Sequence, residues 1–401
     1  MRFIIIFIFV LFSIAGNAQS AELANAYLRK GDYKKAIVLY KPLLESNPIR
    51  QDYFKALLTC YQQVESYQEG QNLIETQIQK FPEQVYLYVE LGYNYQLNDD
   101  LPTAQQFYEK SLDYVRKNPS YVFMIGRSFR QNHLLDYALN SYQIAKQINP
   151  KLNTEISEAQ IYGEKGELEK MFSLYLDLVD KNENYFSTVQ RYVANFITED
   201  KSDPNNELFR KLLLKRAQSN PKDAWNILLS WLFMQQHDYK KALTQEISLF
   251  KRKQADLQRI GEIGYLSFDN KDYATAKEAF EFMIADSQNP ASDRQTTLIA
   301  EIYLLKIQNL SLRKGEDRTE IREKFESLLL EYGQHTESME LHLAYADFLT
   351  FDLEQPEAAI QHLEAILPKA TSQFSKGLYQ MKIADILVFS DQFNQALIMY
   401  T

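Results

Sequence analysis

A 34-residue period constrains this chain more than any other feature. Gly92, Tyr95, Ala104 and Tyr108 return 34 positions later as Gly126, Phe129, Ala138 and Tyr142. One and two periods upstream of Ala104 and Tyr108 stand Gly70 and Ile74, then Ala36 and Tyr40. A fixed period of this size marks stacked helical units, each unable to bury its apolar face alone.

Each recurring position has a physical task. Gly92 and Tyr95 are three apart and share one helix face; Ala104, Tyr108 and Ser111 share a face of a second helix. The small residues stand where two helices must approach closely, and the aromatic ones fill the remaining gap. Asn98-Asp99-Asp100-Leu101-Pro102 between them reads as a turn, with Pro at the first helical turn where its missing N–H costs nothing. The unit is a helical hairpin.

This pattern resembles the tetratricopeptide repeat, whose signature runs Trp-x2-Leu-Gly-x2-Tyr, a small Ala, an aromatic residue and Pro. Tyr88, Leu91, Gly92 and Tyr95 match it with Tyr in place of Trp, and Val122, Ile125, Gly126 and Phe129 match more loosely. Pro48, Pro82 and Pro150 close units at the expected place, and Pro119 does so three residues late. The first unit reads Ala24, Tyr27, Gly31-Asp32-Tyr33, Ala36, Tyr40 and Pro48. Lys271-Asp272-Tyr273 with Ala276 and Phe280, His237-Asp238-Tyr239 with Ala242, and Gln392-Phe393 with Ala396 and Tyr400 repeat its second half. The resemblance implies an all-α, right-handed α-solenoid: a superhelix of stacked antiparallel helix pairs. Composition agrees, with 45% apolar residues and sparse Gly (12) and Pro (11), which suits helices joined by short turns. The 383 residues after the first 18 hold roughly eleven periods.

Those first 18 residues follow another logic. Arg2, the apolar run Phe3 to Phe12 and the small-residue end at Ala18 describe a secretory signal peptide, with cleavage leaving Gln19. As a retained anchor the run is short against the ~20 residues of a membrane span. No Cys lies near the cut, so nothing points to a lipid-modified terminus. The expectation is an exported chain, in the periplasm or on the surface of a Gram-negative cell. The signal style and repeat wording resemble exported tetratricopeptide proteins of Bacteroidota. Cys60 is alone, which excludes an intrachain disulfide and a Cys-based zinc site, and we read it as a small buried residue. Net charge is −9, opposite to the basic stripe of a nucleic-acid scaffold. Arg210-Lys211 to Lys215-Arg216 and Lys251-Arg252-Lys253 read as solvated helix faces.

Along the chain, residues 19–183 read as a regular array, whose fifth unit carries Ala159, Tyr162, Gly166, Met171 and Tyr175. Residues 184–221 form a degenerate repeat, with an apolar helix at Tyr192 to Ile197 and a polar loop at Glu199 to Asn206, read as an inert insertion, hinge or contact point. A second array occupies 222–401, stretched near 291–336 by a long helix from Asp293 to Ser311, with the next unit ending at Pro368. Ala396 and Tyr400 are in phase, so the chain stops within a unit; we expect it to be the N-terminal part of a longer protein.

Little catalytic chemistry is legible. There is no Gly-rich phosphate loop, no Gly-x-Ser-x-Gly elbow and no His-Glu-x-x-His. No enzyme activity, cofactor or metal is implied. The histidines are His133, His237, His335, His342 and His362. His133 and His237 fall in inter-helix turns. His342 and His362, with Glu340 and Glu364 near them in sequence, read as solvated side chains in preference to a metal site. The many carboxylates read as exposed helix charges. Trp225 and Trp231 read as core.

What remains is surface recognition. The resemblance implies that the first helix of each unit lines a concave groove. Counting the phase gives Asn25, Arg29, Gln62, Tyr93, Gln96, Arg127, Arg130 and Gln160 as groove residues. Arg127 and Arg130 are three apart and face one way, as a pair that would grip a carboxylate. This looks like the carboxylate clamp of some peptide-binding tetratricopeptide domains, which use Lys and Asn at positions not matched here. The expected function is a non-catalytic scaffold that binds a peptide or partner domain. The alternatives are the targeting arm of an envelope enzyme whose catalytic domain lies beyond 401, or a module for cell-wall glycan. No nucleic-acid partner is expected, nor a membrane span after signal cleavage.

Overall fold

The computed structural model describes residues 20–253, 257–286, 294–333, 338–370 and 372–400. The signal-like segment 1–18 and His335 lie outside them. All regular structure among the described residues is helical. The chain divides into two compact units, the first ending at Asn182.

Among its described residues, unit 1 contains five successive helix pairs: α1 (20–30) with α2 (Tyr33–Ser46), α3 (Gln51–Gln63) with α4 (Tyr67–Lys80), α5 (Leu87–Leu97) with α6 (Leu101–Lys117), α7 (Val122–Gln131) with α8 (Leu135–Ile148), and α9 (Glu155–Glu164) with α10 (Leu168–Lys181). The described residues of unit 2 contain six: α11 (Phe186–Ala194) with α12 (Pro204–Ser219), α13 (Asp223–Gln235) with α14 (Tyr239–Lys253), α15 (Gln258–Asp269) with α16 (Tyr273–Asp286), α17 (Arg294–Ser311) with α18 (Thr319–Tyr332), α19 (Met339–Asp347) with α20 (Pro356–Ile366), and α21 (Gln373–Phe389) with α22 (Phe393–Tyr400). The long helix expected near 291–336 is α17. No helix among the described residues is long and apolar enough to cross a membrane.

The period is written into the backbone at the turns. Gly31, Glu65, Asp99, His133 and Gly166 in unit 1, and His237, Lys271 and Asp391 in unit 2, all adopt positive φ. The first four are spaced by 34. In each turn the next residue sends its N–H back to the carbonyl five residues earlier: Asp32 to Tyr27 at 2.9 Å, Asp100 to Tyr95 at 3.0 Å, Leu134 to Phe129 at 2.9 Å, Asp272 to Ser267 at 2.8 Å. This bond satisfies an orphan carbonyl and turns the chain back on itself. Only two of these turns use Gly, so the others hold an L-residue in a conformation that costs roughly 1–2 kcal/mol. Tertiary packing of the two helices outweighs that local cost.

A second regularity fixes how closely the two helices of a pair approach. In the first, third, fourth and fifth pairs of unit 1 and in the α15–α16 pair, a small residue on the first helix faces a residue sixteen positions later on the second. A Cβ added at Gly92 would lie 2.6 Å from Tyr108 Cε1, one at Gly126 would lie 2.8 Å from the Tyr142 ring, and one at Gly264 would lie 2.9 Å from the Phe280 ring. Ala24 with Tyr40 and Ala159 with Tyr175 repeat the spacing, all four buried. Each pair thus excludes the β-carbon or limits it to Ala, because the ring occupies that volume. Trp225 is fully buried and donates from Nε1 to the Asn220 carbonyl at 2.9 Å. Cys60 is fully buried, and burial pushes its thiol up to about 11.

The degenerate stretch differs from the reading of its sequence. The helix expected at Tyr192 to Ile197 is α11, which begins at Phe186 and ends at Ala194. The polar segment that follows is a hydrogen-bonded loop at 195–203. Fully buried Asn206 organises it: its Nδ2 donates to the carbonyls of Thr198 at 2.8 Å and Asp200 at 2.7 Å, and its Oδ1 accepts from Thr198 N at 3.2 Å. Asn205 takes the Phe196 carbonyl at 3.3 Å. These amides offer the backbone partners that continuing α11 would have supplied, so the helix stops. Glu199 also reaches His237 at 3.6 Å in the next turn, so the loop is a contact within unit 2.

Candidate functional site

The residues singled out from sequence all fall on the first helices of unit 1. Asn25 and Arg29 are exposed on α1; Asn25 Oδ1 accepts from Tyr40 Oη at 2.7 Å. Gln62 on α3 is half-buried, and its Nε2 lacks a partner among the described residues. Tyr93 and Gln96 are half-buried on α5, with Gln96 Oε1 accepting from Tyr108 Oη at 2.9 Å. The amide and phenol partners tie this face to the aromatic residues of the second helices. A ligand side chain meeting Asn25 or Gln96 meets a group whose orientation is already set.

The two arginines of α7 behave differently. Arg130 donates through Nε to Glu164 Oε1 at 2.6 Å and through a terminal nitrogen to Gln160 Oε1. Arg130, Gln160 and Glu164 therefore form one cluster joining α7 to α9. Arg130 and Glu164 are one period apart, and the same offset pairs Lys306 with Glu340 at 3.3 Å in unit 2. Arg127 is exposed and has no ion-pair partner among the described residues. The two guanidinium groups do not stand as equivalent jaws; one is engaged internally and one faces solvent.

The structure adds residues the phase count passed over. Lys55 on α3 donates to Gln131 Oε1 on α7 at 2.8 Å, spanning α5. First helices of alternate pairs meet here. Lys55 also lies 5.9 Å from the Tyr86 ring centroid. The other half-buried lysines of unit 1, Lys146 and Lys165, both have carboxylate partners, whereas Lys55 has a neutral amide. Beneath this strap lies Glu90 of α5, which accepts from Ser128 Oγ at 2.6 Å and from Asn132 Nδ2 at 3.3 Å. Burial raises its carboxyl above the usual carboxylate range, against the pull of these two donors and the Lys55 charge. Glu90, Glu155, Glu158 and Glu246 are all buried, which corrects the reading of the carboxylates as exposed charges. Gln131 is three periods after Arg29, and counting that register through would have found it. Glu90 carries no comparable signal, because helix exposure sets its environment and residue type does not.

The histidine reading is corrected as well. His342 is 2% exposed and His362 is half-buried, and His342 Nδ1 lies 3.0 Å from His362 Nε2. They are not solvated, because His362 takes the ring position on α20, sixteen residues after fully buried Ala346. Glu340 is instead paired with Lys306. No group of three or more metal-ligating side chains occurs among the described residues.

No protein-family model matches the chain. An 80-residue stretch is 38% identical to the transcription factor tau 131 kDa subunit of Saccharomyces cerevisiae, covering 20% of this chain and 8% of that protein. Among solved structures, the chain is similar to one in the structure of Naa15/Naa10 bound to HypK-THB, at 14% identity and a TM-score of 0.38, over 94% of this chain and 56% of that one. It is similar to yeast Tom70 at 12% identity and a TM-score of 0.32, over 94% and 96% of the two chains. It is also similar to MamA MSR-1 C2 at 18% identity and a TM-score of 0.21, over 42% and 97%. The chain thus spans 8% of the curated relative and just over half of the first solved chain. Its own geometry, with left-handed turn residues one period apart and small residues set sixteen before aromatic ones, is that of a tetratricopeptide-like fold of stacked helix pairs.

Proposed function

We propose that the chain is a non-catalytic protein-interaction scaffold, and that the first-helix face of unit 1 holds an extended peptide segment bearing carboxylates. The observation that carries this is the charge state of that face. Arg29, Lys55 and Arg127 project from α1, α3 and α7 without ion-pair partners among the described residues. The amide of Gln131 meets Lys55, and the amides of Gln96 and Gln160 and the phenol of Tyr93 stand on the first helices of the same unit. Unpaired cations flanked by oriented amides favour an anionic group, since a charge-assisted hydrogen bond gains more than a neutral one. The partial burial of Lys55 strengthens this, because solvent screens it less. Arg130 contributes indirectly, by locking Gln160 and the α7–α9 junction.

The location belongs to the same proposal. The signal-like residues 1–18 support export, to the periplasm or surface of a Gram-negative cell, where the scaffold would act within an envelope assembly. Affinity capture from envelope extract, read by mass spectrometry, tests the whole reading. Lys55→Glu with Arg127→Glu is expected to lower capture of the principal partner at least tenfold with helical content unchanged by circular dichroism. Capture at the wild-type level would remove the face from the binding site.

A further inference from the structure

The histidines of α19 and α20 form a device that the scaffold reading does not use. His342 Nε2 lies 3.2 Å from the carbonyl oxygen of Gly333, and His342 Nδ1 lies 3.0 Å from His362 Nε2. A carbonyl only accepts, so His342 carries its proton on Nε2 and presents a bare Nδ1. His362 must then donate from Nε2, leaving its own Nδ1 bare. The neutral pair is a one-way chain of two hydrogen bonds running from α20 through α19 to the end of α18. A proton added to each ring would set two N–H groups against each other across 3.0 Å.

The surroundings offer that charge no compensation. The Tyr345 ring of α19 stands 5.1 Å from His362, and the Tyr379 ring of α21 meets His342 edge-on at 6.3 Å. The charged group bearing on the pair is Lys369, in the turn after α20, which repels an imidazolium. Glu326 of α18 is the carboxylate nearest in the network, and it is held by Arg322 at 2.9 Å and by Tyr345 Oη at 3.1 Å. Among the described residues no carboxylate bonds either ring. The helix carrying His342 runs into a π-helical turn at Phe348–Asp352, where one extra residue lengthens the closing bond, Gln355 N to Leu349 O, to six residues. A π-turn is a weaker element than the α-helix it interrupts.

We propose that His342 and His362 form an acid-sensitive clasp, which holds the α19–α20 hairpin shut when both rings are neutral and releases it when they are protonated. The clasp is independent of the peptide-binding reading, which concerns unit 1. Burial, first, and the neighbouring ring, second, depress His362 to about 4; burial also lowers His342, joined by Lys369 and opposed by the Gly333 bond. A depressed folded value means the open form takes up more protons. The clasp is therefore fully stabilising above the ordinary histidine value near 6.5 and is lost as pH falls from there towards 4. By linkage, His362 alone shifts the opening equilibrium about 30-fold between pH 7.5 and pH 5.

Hydrogen exchange of the full chain, corrected for intrinsic rate, reads this directly. The opening of α19 and α20 is expected to rise about 30-fold on moving from pH 7.5 to pH 5, while α13 and α14 change little. The double variant His342→Leu, His362→Phe, which places an aromatic ring where other pairs have one, is expected to lose that dependence. Equal pH dependence in wild type and variant, or a wild-type rise below about threefold, overturns the proposal. Histidine ring titration by NMR on the wild type keeps the test intact should the variant fold poorly. His362 titrating below pH 5, with His342 also lowered, supports the clasp, and His362 titrating near 6.5 overturns it.

Discussion

Unit 1 and unit 2 build the same hairpin from different chemistry. In unit 1 the register position on the second helix holds Tyr40, Tyr108, Tyr142 and Tyr175 opposite a small residue, and Ile74 opposite Leu58, all buried. Two of these phenols find an amide, on Asn25 and Gln96. In unit 2 the same position holds Phe280 opposite Gly264, as in unit 1, but also Glu246 opposite Ser230 and His362 opposite Ala346. Each polar replacement brings its own partner. Arg259 grips Glu246 with two bonds at 2.8 and 2.7 Å, and His342 bonds His362. The contrast teaches that the repeat specifies volume at this position, and that polarity is admitted wherever a neighbouring helix satisfies it. It also separates tolerance to conditions. Burial raises the phenol of Tyr142, packed on Gly126, further from the acid range, whereas burial lowers both rings of the histidine pair.

Three substitutions would break or sharpen that contrast. The largest effect is expected from Arg259→Ala, which leaves the Glu246 carboxylate buried without its counter-ion. Loss of about 3 kcal/mol in the stability of unit 2 is expected by urea unfolding, at the low end for a buried pair because the arginine is part-exposed. Glu246→Gln added to it should recover part of that loss. No recovery would mean that packing, and not the orphaned charge, explains the effect. Next comes Gly126→Ala in unit 1. Its methyl would lie within 2.8–2.9 Å of Tyr142 ring and hydroxyl atoms, so the ring must move, at a cost of about 2 kcal/mol. A change below experimental error would show that the spacing in unit 1 is looser than its geometry states. The smallest effect is a gain. His133 holds φ at 56°, and His133→Gly removes that strain while adding freedom to the unfolded chain, for a net gain of about 0.5 kcal/mol. A melting point lowered by this change would indicate that the His133 side chain contributes a contact of its own.

Much of the fold was legible before any coordinates. The 34-residue offset, the small and aromatic positions and the long helix of the stretched unit each follow from spacing alone, because they are local to one hairpin or repeat from one to the next. The end of α11 was not legible. Asn205 and Asn206 read as polar loop residues, and only folding showed their amides capturing Phe196, Thr198 and Asp200. The candidate face was legible in part. Its helices and its phase come from the repeat, but the engagement of Arg130 by Glu164 and the strap from Lys55 to Gln131 do not.

By itself the sequence determined the hairpin, its period and the volume at each recurring position, since these depend on contacts within one unit and recur at fixed offsets. Only the tertiary structure decided which charges are paired, which carboxylates are buried and which histidines touch. Those outcomes depend on the small rotation from one helix pair to the next. That rotation brings α3 within reach of α7 and sets the dielectric around Glu90, and no spacing along the chain encodes it.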